Sequence, residues 1–487
     1  MPADTSLIRK PARTIVALLK AGEVTPLELL ELLEARIVEV DGTVNALPTR
    51  CLERAREHAR GLVKRPMQER GLLAGMPVAI KDLAPVEGVR STWGSPIYAH
   101  FMPAASDCLV EILEGNGGVV YAKSNTPEFG AGANTFNEVF GRTLNPWDTS
   151  RSCAGSSGGS AVALATGMAW LASGSDLGGS LRNPASFCSV VGFRPSPGRV
   201  AHGPSRKGAF PATLHGLSNQ PFSVDGPMAR NVPDVALLLD AMTGAHPADP
   251  ISLPREALSY VDAVAARRLP KRVAFSPDLG VTPVDPRVAG ICAKAAATFE
   301  ALGCVVEEAH PDFSGVQDIF QTNRAIGYYV GKKSLLDAHK DLLKPEVIWN
   351  IERARSITMD DIARVEKERA AYIERAREFF ATYDLLVSPA TIVPPYPIEQ
   401  RFVESCNGHT FENYIEWCTI AYAITMTGFP AMSVPAGFTP GGLPVGLQLV
   451  GGPRGEADLL SAAALYEEAA GLADRVPIDP RQPVPAN

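Results

Sequence analysis

The sequence predicts an α/β fold in which a β-sheet is covered by helices on both faces. Beyond residue 230, short apolar runs alternate with longer amphipathic ones in the order helix, strand, helix, strand, the pattern of a sheet clothed by helices. Apolar residues make up 46% of the 487-residue chain and the mean hydropathy is close to zero, which supplies a large core and excludes general disorder. The 41 prolines and 43 glycines are spread along the chain rather than gathered into a linker, so no domain boundary is expected.

Taken in order, residues 12–20 and 26–40 carry apolar positions at helical spacing. The second of these helices has Thr25 as N-cap and Pro26 at its first position, where the missing N–H has no helical partner to lose. A third helix, 52–63, is charged on one side and completes a helical lead-in over residues 1–65. The apolar segment 73–80 reads as a buried strand that ends in Lys81. A lysine so placed loses hydration, which favours its neutral form, unless it pairs with a carboxylate. Helix 108–114 and strand 119–122 follow, and then a turn-rich stretch, 125–148. Its Phe136, Phe140 and Trp147 either border a pocket or pin the loop to the core.

Two glycine-serine clusters come next, Gly155-Ser156-Ser157-Gly158-Gly159-Ser160 and Gly174-Ser175-Asp176-Leu177-Gly178-Gly179-Ser180. Such density lets N–H groups and hydroxyls approach a ligand without Cβ interference, as an oxyanion or phosphate cradle requires. A flexible linker would be polar on both sides, whereas 161–172 is apolar enough for a buried helix followed by a strand. The chain continues with a helix at 235–242 capped by Asn231, a linker at 244–254, a strand at 272–275, a helix at 286–302 and a strand at 305–308. Residues 313–383 are mostly helical and highly charged, with a long helix at 359–382, and read as a lid or pocket wall. Strand 384–388, helix 411–425, strands 431–434 and 445–450, helix 456–470 and a proline-rich surface tail after Val476 complete the expectation.

Composition also excludes function classes. A net charge of −7 with interspersed signs argues against a nucleic-acid surface. A nucleotide-binding module would show a Walker lysine-serine pair, or G-x-G-x-x-G after a strand, and neither is present. The eight cysteines never lie closer than twelve positions, which offers no paired metal or redox motif and fits reduced thiols in a cytoplasmic protein. No signal pattern opens the chain and no apolar run reaches the roughly 18 residues of a membrane span.

A serine hydroxyl is a weak nucleophile until a base takes its proton. None of the eight histidines sits in a triad motif, although His202 and His215 follow the second cluster closely enough to be pocket candidates. A lysine made neutral by burial can serve as the base, with a second serine relaying the proton. Gly155-Ser156-Ser157-Gly158-Gly159 also satisfies G-x-S-x-G with Ser157 as nucleophile, but that elbow needs a preceding strand and 142–152 is a polar loop.

These motifs resemble the amidase signature family of serine hydrolases. The resemblance rests on the two clusters, on Ser180-Leu181-Arg182-Asn183-Pro184-Ala185 and on the upstream Gly75-Met76-Pro77-Val78-Ala79-Ile80-Lys81-Asp82. It continues at Val191-Gly192-Phe193-Arg194-Pro195, Gly226-Pro227-Met228-Ala229-Arg230 and Thr427-Gly428-Phe429-Pro430-Ala431, and so covers nearly the whole chain. It implies one α/β/α domain over residues 1–487 around a mixed sheet, with the catalytic signature core at 75–230. The implied activity is hydrolysis of amide C–N bonds without metal or cofactor. Ser180 would be the nucleophile, Ser156 the proton relay after a non-proline cis peptide, and Lys81 the general base and acid. Leu177, Gly178, Gly179 and the Ser180 amide would form the oxyanion hole, and Ser157 would support the relay. Asp176 and Arg182 read as an ion pair holding the turn, with contact between Arg182 and an anionic substrate as the alternative. Phe136 and Gly155 are the substrate-binding candidates. Cys153-Ala154 departs from the family's commoner glycine or proline and bears only on local loop shape.

The substrate is expected to be a small-molecule amide or carbamate with a bulky apolar part. Phe129, Phe136, Phe140, Trp147, Phe210 and Phe222 populate the segments nearest the site, with few basic residues beyond Arg142, Arg206 and Lys207. A monomer or homodimer is expected. The rival within the family is the glutaminase-like A subunit of a tRNA-dependent amidotransferase, whose usual sequence 313–383 does not resemble.

Overall fold

The computed structural model describes residues 5–211, 214 and 222–483. Among these, eleven strands form one mixed sheet. Its order runs Thr49–Arg50, Val119–Ser124, Pro77–Lys81, Leu171–Asp176, Val224–Ala229, Val191–Arg194, Ala431–Phe438, Pro444–Val450, Leu385–Pro389, Arg272–Phe275 and Val305–Glu308. The Pro77–Lys81 strand runs parallel to both its neighbours, and parallel pairing returns at the far edge from Leu385–Pro389 through Val305–Glu308. The centre, from Leu171–Asp176 to Leu385–Pro389, is antiparallel. Fourteen α-helices accompany the sheet among the described residues, and one cluster of buried apolar side chains extends from Ala12 to Val476.

The lead-in helices form where their apolar stripes and caps predict. In the helix Pro26–Val44, Thr25 Oγ1 accepts from the Glu28 amide while Glu28 accepts from the Thr25 amide, a capping box that satisfies two orphan donors reciprocally. Asp234 ties this region to the sheet. Its carboxylate, in the first turn of the helix Val232–Met242, accepts from the amides of Ala12 at 2.7 Å and Arg13 at 2.9 Å.

Two central strands, Val191–Arg194 and Val224–Ala229, do not read as strands in the sequence because glycine, proline and charge interrupt them. They are possible because the glycines admit close backbone approach: a Cβ on Gly192 would lie 2.2 Å from Leu181 O, and one on Gly226 2.2 Å from Phe193 O. The expected helix at 411–425 is shorter. Only Thr419–Thr425 is α-helical, after a 3₁₀ turn at Glu416–Cys418, because Asn413 Oδ1 holds the Ile415 amide and draws 411–415 into a turn. A short helix, Arg182–Cys188, follows the second glycine-serine cluster at once and fixes its far end.

A second apolar cluster, with Trp93, Tyr98, Phe129, Tyr328, Leu335 and Val347 among its members, joins the 24-residue helix Val316–His339 to the loops after Pro77–Lys81 and Val119–Ser124. It sets that helix across from the ends of the two strands that carry the serine and lysine motifs.

Candidate active site

The strands Pro77–Lys81 and Leu171–Asp176 are parallel neighbours, so their C-terminal ends emerge on the same edge. Lys81 is 2% exposed, and its Nζ lies 2.7 Å from Ser156 Oγ, 2.8 Å from Ser157 Oγ and 2.9 Å from Ser175 Oγ. No carboxylate reaches ion-pair distance of it among the described residues. A second buried lysine, on the neighbouring strand, shows the contrast: Lys123 donates to Asp82 Oδ1 at 2.8 Å and to Ser91 Oγ at 3.0 Å. Burial without a counter-ion pushes Lys81 down to about 7, against a smaller opposing pull from Asp225 and Asp176. A neutral amine donates two protons and accepts one, and three hydroxyls satisfy that set.

The loop before the helix Gly158–Ala165 brings Ser156 and Ser157 to the lysine, and the Gly155–Ser156 peptide is cis. Helix and loop fit only because Gly158 and Gly159 lack side chains: a Cβ on Gly159 would lie 2.3 Å from the Asn125 amide nitrogen. Ser157 is fully buried, accepts from the Ser175 amide at 3.3 Å, and donates its own amide to Ser180 O at 3.2 Å. No strand leads directly into it, the preceding one ending at Arg142, so the elbow that would make Ser157 a nucleophile is absent.

The turn at 177–180 is clamped from beneath. Asp176 and Arg182, both fully buried, pair through Nη2–Oδ1 at 2.8 Å and Nε–Oδ2 at 3.1 Å, and Arg194 donates to the Asp176 carbonyl. Burial alone would push the Asp176 carboxyl up, but Arg182 and Arg194 outweigh it and hold it well below the usual carboxylate range. Arg182 also donates to Ala421 O, Gln448 Oε1 and Thr425 Oγ1, which removes it from contact with any substrate and makes it the turn's anchor. Asp176 accepts from the amides of Gly179 and Leu181, each at 3.1 Å. The Gly179 amide, expected among the oxyanion donors, is therefore committed to Asp176. The amides of Leu177, Gly178 and Ser180 have no acceptor among the described residues. Gly179 sits at φ +97°, and a Cβ there would lie 2.5 Å from Asn183 Oδ1.

Ser156, Ser175 and Ser180 open on a cavity of about 220 Å³, together with Leu177 and Gly178. Its aromatic walls are Trp93, Phe129, Phe210 and Tyr328. Two of these, Phe129 and Phe210, were expected. Phe136 and Gly155 do not line the cavity: the Phe136 ring lies under Lys344 Nζ at 3.8 Å and Arg401 at 5.0 Å, and Gly155 packs against the Ala133 and Asn134 backbone. Phe140 lies under Arg90, Phe222 under Arg369, and Trp147 against Phe438, so these rings pin loops rather than meet a ligand. His202 lines the cavity, and His215 lies outside the described residues.

The sequence reading missed the charged groups of this cavity. Asp225 sits on the strand beside Ser175, with His202 Nδ1 3.8 Å away, and Asp107 caps the helix Cys108–Gly115. Burial pushes both carboxyls up; His202 and Lys81 pull Asp225 back, and Asp225 pushes Asp107 further. On the opposite side Arg324, Tyr328 and Lys332 project from the helix Val316–His339 at a spacing of four, a stripe along one helix face.

An amidase family profile matches residues 28–460. The chain belongs to the amidase family. It is an amidohydrolase of the amidase signature type, acting on carbon–nitrogen bonds other than peptide bonds. An acylamidase of Rhodococcus erythropolis is 33% identical over 473 residues, covering 96% of this chain and 97% of that protein. The A subunit of the glutamyl-tRNA(Gln) amidotransferase of Moorella thermoacetica is 35% identical over 488 residues, with 94% and 96% covered. Among solved structures, a bacterial aryl acylamidase of the amidase signature family superposes with a TM-score of 0.87 at 28% identity, covering 96% of this chain and 97% of that one. No helix of the described residues is long and apolar enough to cross a membrane.

Proposed function

We propose that this amidase hydrolyses small amides carrying a bulky apolar group, aryl amides or carbamates, through an acyl-enzyme on Ser180. The observation that carries the mechanism is the buried, carboxylate-free Lys81 amine within 2.9 Å of three hydroxyls, two of which, Ser156 and Ser175, share a cavity with Ser180. Lys81 takes the Ser156 proton as Ser156 takes that of Ser180, and the Ser180 oxygen forms a bond to the substrate carbonyl carbon. Negative charge that develops on the carbonyl oxygen meets the amides of Leu177, Gly178 and Ser180, where each donor contributes on the order of 3 kcal/mol to the transition state. The proton returns through Ser156 to the leaving nitrogen as the C–N bond breaks. Water then attacks the acyl carbon, giving its proton to the same relay, and as the bond from that carbon to the Ser180 oxygen breaks the relay returns the proton to Ser180 and the acid departs. Ser157 and Ser175 hold the lysine amine in place.

The aromatic walls and the likeness to an acylamidase and an aryl acylamidase support the substrate class. Treatment with a fluorophosphonate, followed by peptide mass spectrometry, is expected to place the adduct on Ser180. An adduct on Ser157 or Ser175 instead would overturn the assignment. The 35% identity to the amidotransferase protein favours a second reading, a glutaminase that works with partner subunits. Turnover of acetanilide-type or phenyl carbamate substrates by the purified chain alone, without glutamine hydrolysis, separates the two.

A further inference from the structure

Arg324 and Lys332 are each only 5% exposed, line the cavity that Ser180 opens on, and have no carboxylate at ion-pair distance among the described residues. Arg324 is held by uncharged groups: Nε donates to Asn350 Oδ1 at 3.1 Å, and Nη2 to the hydroxyls of Tyr414 at 3.0 Å and Tyr328 at 3.3 Å. Its Nη1 has no hydrogen-bond partner among the described residues. Lys332 Nζ rests on the faces of Tyr328, 4.6 Å from the centroid, and Phe129, at 5.2 Å, and makes no hydrogen bond among the described residues. The acid that acts on it, Glu128, is engaged elsewhere, accepting from Ser95 Oγ and from the Lys344 amide.

Desolvated cations without counter-charge are costly, and a fold that keeps two of them beside one cavity leaves the compensating charge to a ligand. The aromatic walls fit the ligand's apolar body. Asp107 and Asp225 supply no positive charge, which leaves the helix Val316–His339 as the one wall that brings arginine or lysine to the cavity among the described residues.

We propose that Arg324 and Lys332 form a carboxylate subsite, so that the preferred substrates are amides or carbamates whose apolar body ends in a carboxylate. This rests on the amidase reading above and narrows its substrate class. It also adds a charged end to the bulky apolar substrate expected from the sequence, an expectation drawn from loops that lack these two residues.

Two substrate series test it: monoanilides of straight-chain dicarboxylic acids, with the charge on the acyl side, and N-acetyl-4-aminobenzoate, with the charge on the amine side. Each is compared with its methyl ester. In one series kcat/KM for the acid is expected to exceed that for the ester by about tenfold or more, the scale of one charge-assisted hydrogen bond. In Lys332→Met the ratio should collapse toward unity, and Lys332→Arg should restore part of it. Equilibrium binding of the same acids and esters to Ser180→Ala by calorimetry gives a readout that does not depend on turnover, and should show the same preference. Esters favoured or equal in both series, or an acid preference unchanged in Lys332→Met, would overturn the subsite. Tight, Lys332-dependent binding of the acids with no turnover and no Ser180 adduct would leave the subsite standing and sink the hydrolase mechanism.

Discussion

At the scale of single residues, the site depends on a difference between two buried lysines. Lys123 pairs its charge with Asp82, whereas Lys81 faces hydroxyls alone. A base must be deprotonated, so kcat/KM is expected to rise with pH through the region near 7 and level off above it, following the Lys81 value of about 7. A plateau extending unbroken to pH 5 would show that Lys81 is not the titrating base. The same shift has a stability sign. The folded pKa lies below the unfolded one, so between about 7 and the model-peptide lysine value near 10.4 the unfolded chain binds more protons and this group's penalty shrinks as pH rises. Lys81→Met should therefore be inactive yet melt above wild type at pH 7, with the gap closing toward pH 10. A gap that stays constant with pH would mean that the lysine is charged in both states.

At the scale of elements, the close seating of the helix Gly158–Ala165 is what delivers Ser156 and Ser157 to the lysine. Gly159→Ala would place a Cβ 2.3 Å from the Asn125 nitrogen and 2.7 Å from Ala46 O, backbone atoms that cannot swing aside. A loss of about 1 to 3 kcal/mol in denaturant titration, with a larger fall in kcat than in KM, is the expected result. Wild-type stability would show that the helix shifts freely.

Elements with one clear periodicity were legible in the sequence. Leu52–Val63 and Glu456–Ala470 match their expected spans, as do the strands Arg272–Phe275 and Val305–Glu308. Val191–Arg194 and Val224–Ala229 were not, because what makes them strands is contact with Leu181 and Phe193 from other parts of the chain. The same division holds at the site. Lys81, Ser156 and Ser180 lie in motifs readable over a few residues. Arg324 and Lys332 lie on a helix whose charges look like a solvated face, and only their spacing of four with Tyr328 hinted at a common inward stripe.

For the whole molecule, the N-terminal helices are joined to the rest of the chain by a few buried polar links as well as by apolar packing. Asp234 accepts the Ala12 and Arg13 amides, and Arg230 donates to the carbonyls of Ile8 and Lys10. Asp234→Ala removes the acceptor for both amides and is expected to cost about 1 to 3 kcal/mol in thermal or chemical unfolding. Hydrogen exchange should then quicken first in the helix Ala12–Ala21 while the glycine-serine turn stays protected. Equal loss of protection in both places would show that the lead-in and the sheet open as one unit.

The helix Val316–His339 forms one wall of the cavity, yet it enters the chain long after Ser180 and takes no part in the proposed proton path. The basic wall and the proposed relay are therefore written in separate stretches of the gene, whereas Trp93 and Phe129 of the aromatic wall fall between Lys81 and Ser156. A population of variants randomised at 324, 328 and 332 can explore new acyl and amine groups while the proposed relay of 81, 156 and 180 is inherited untouched, which gives this architecture a route to new substrates that leaves the proposed chemistry in place.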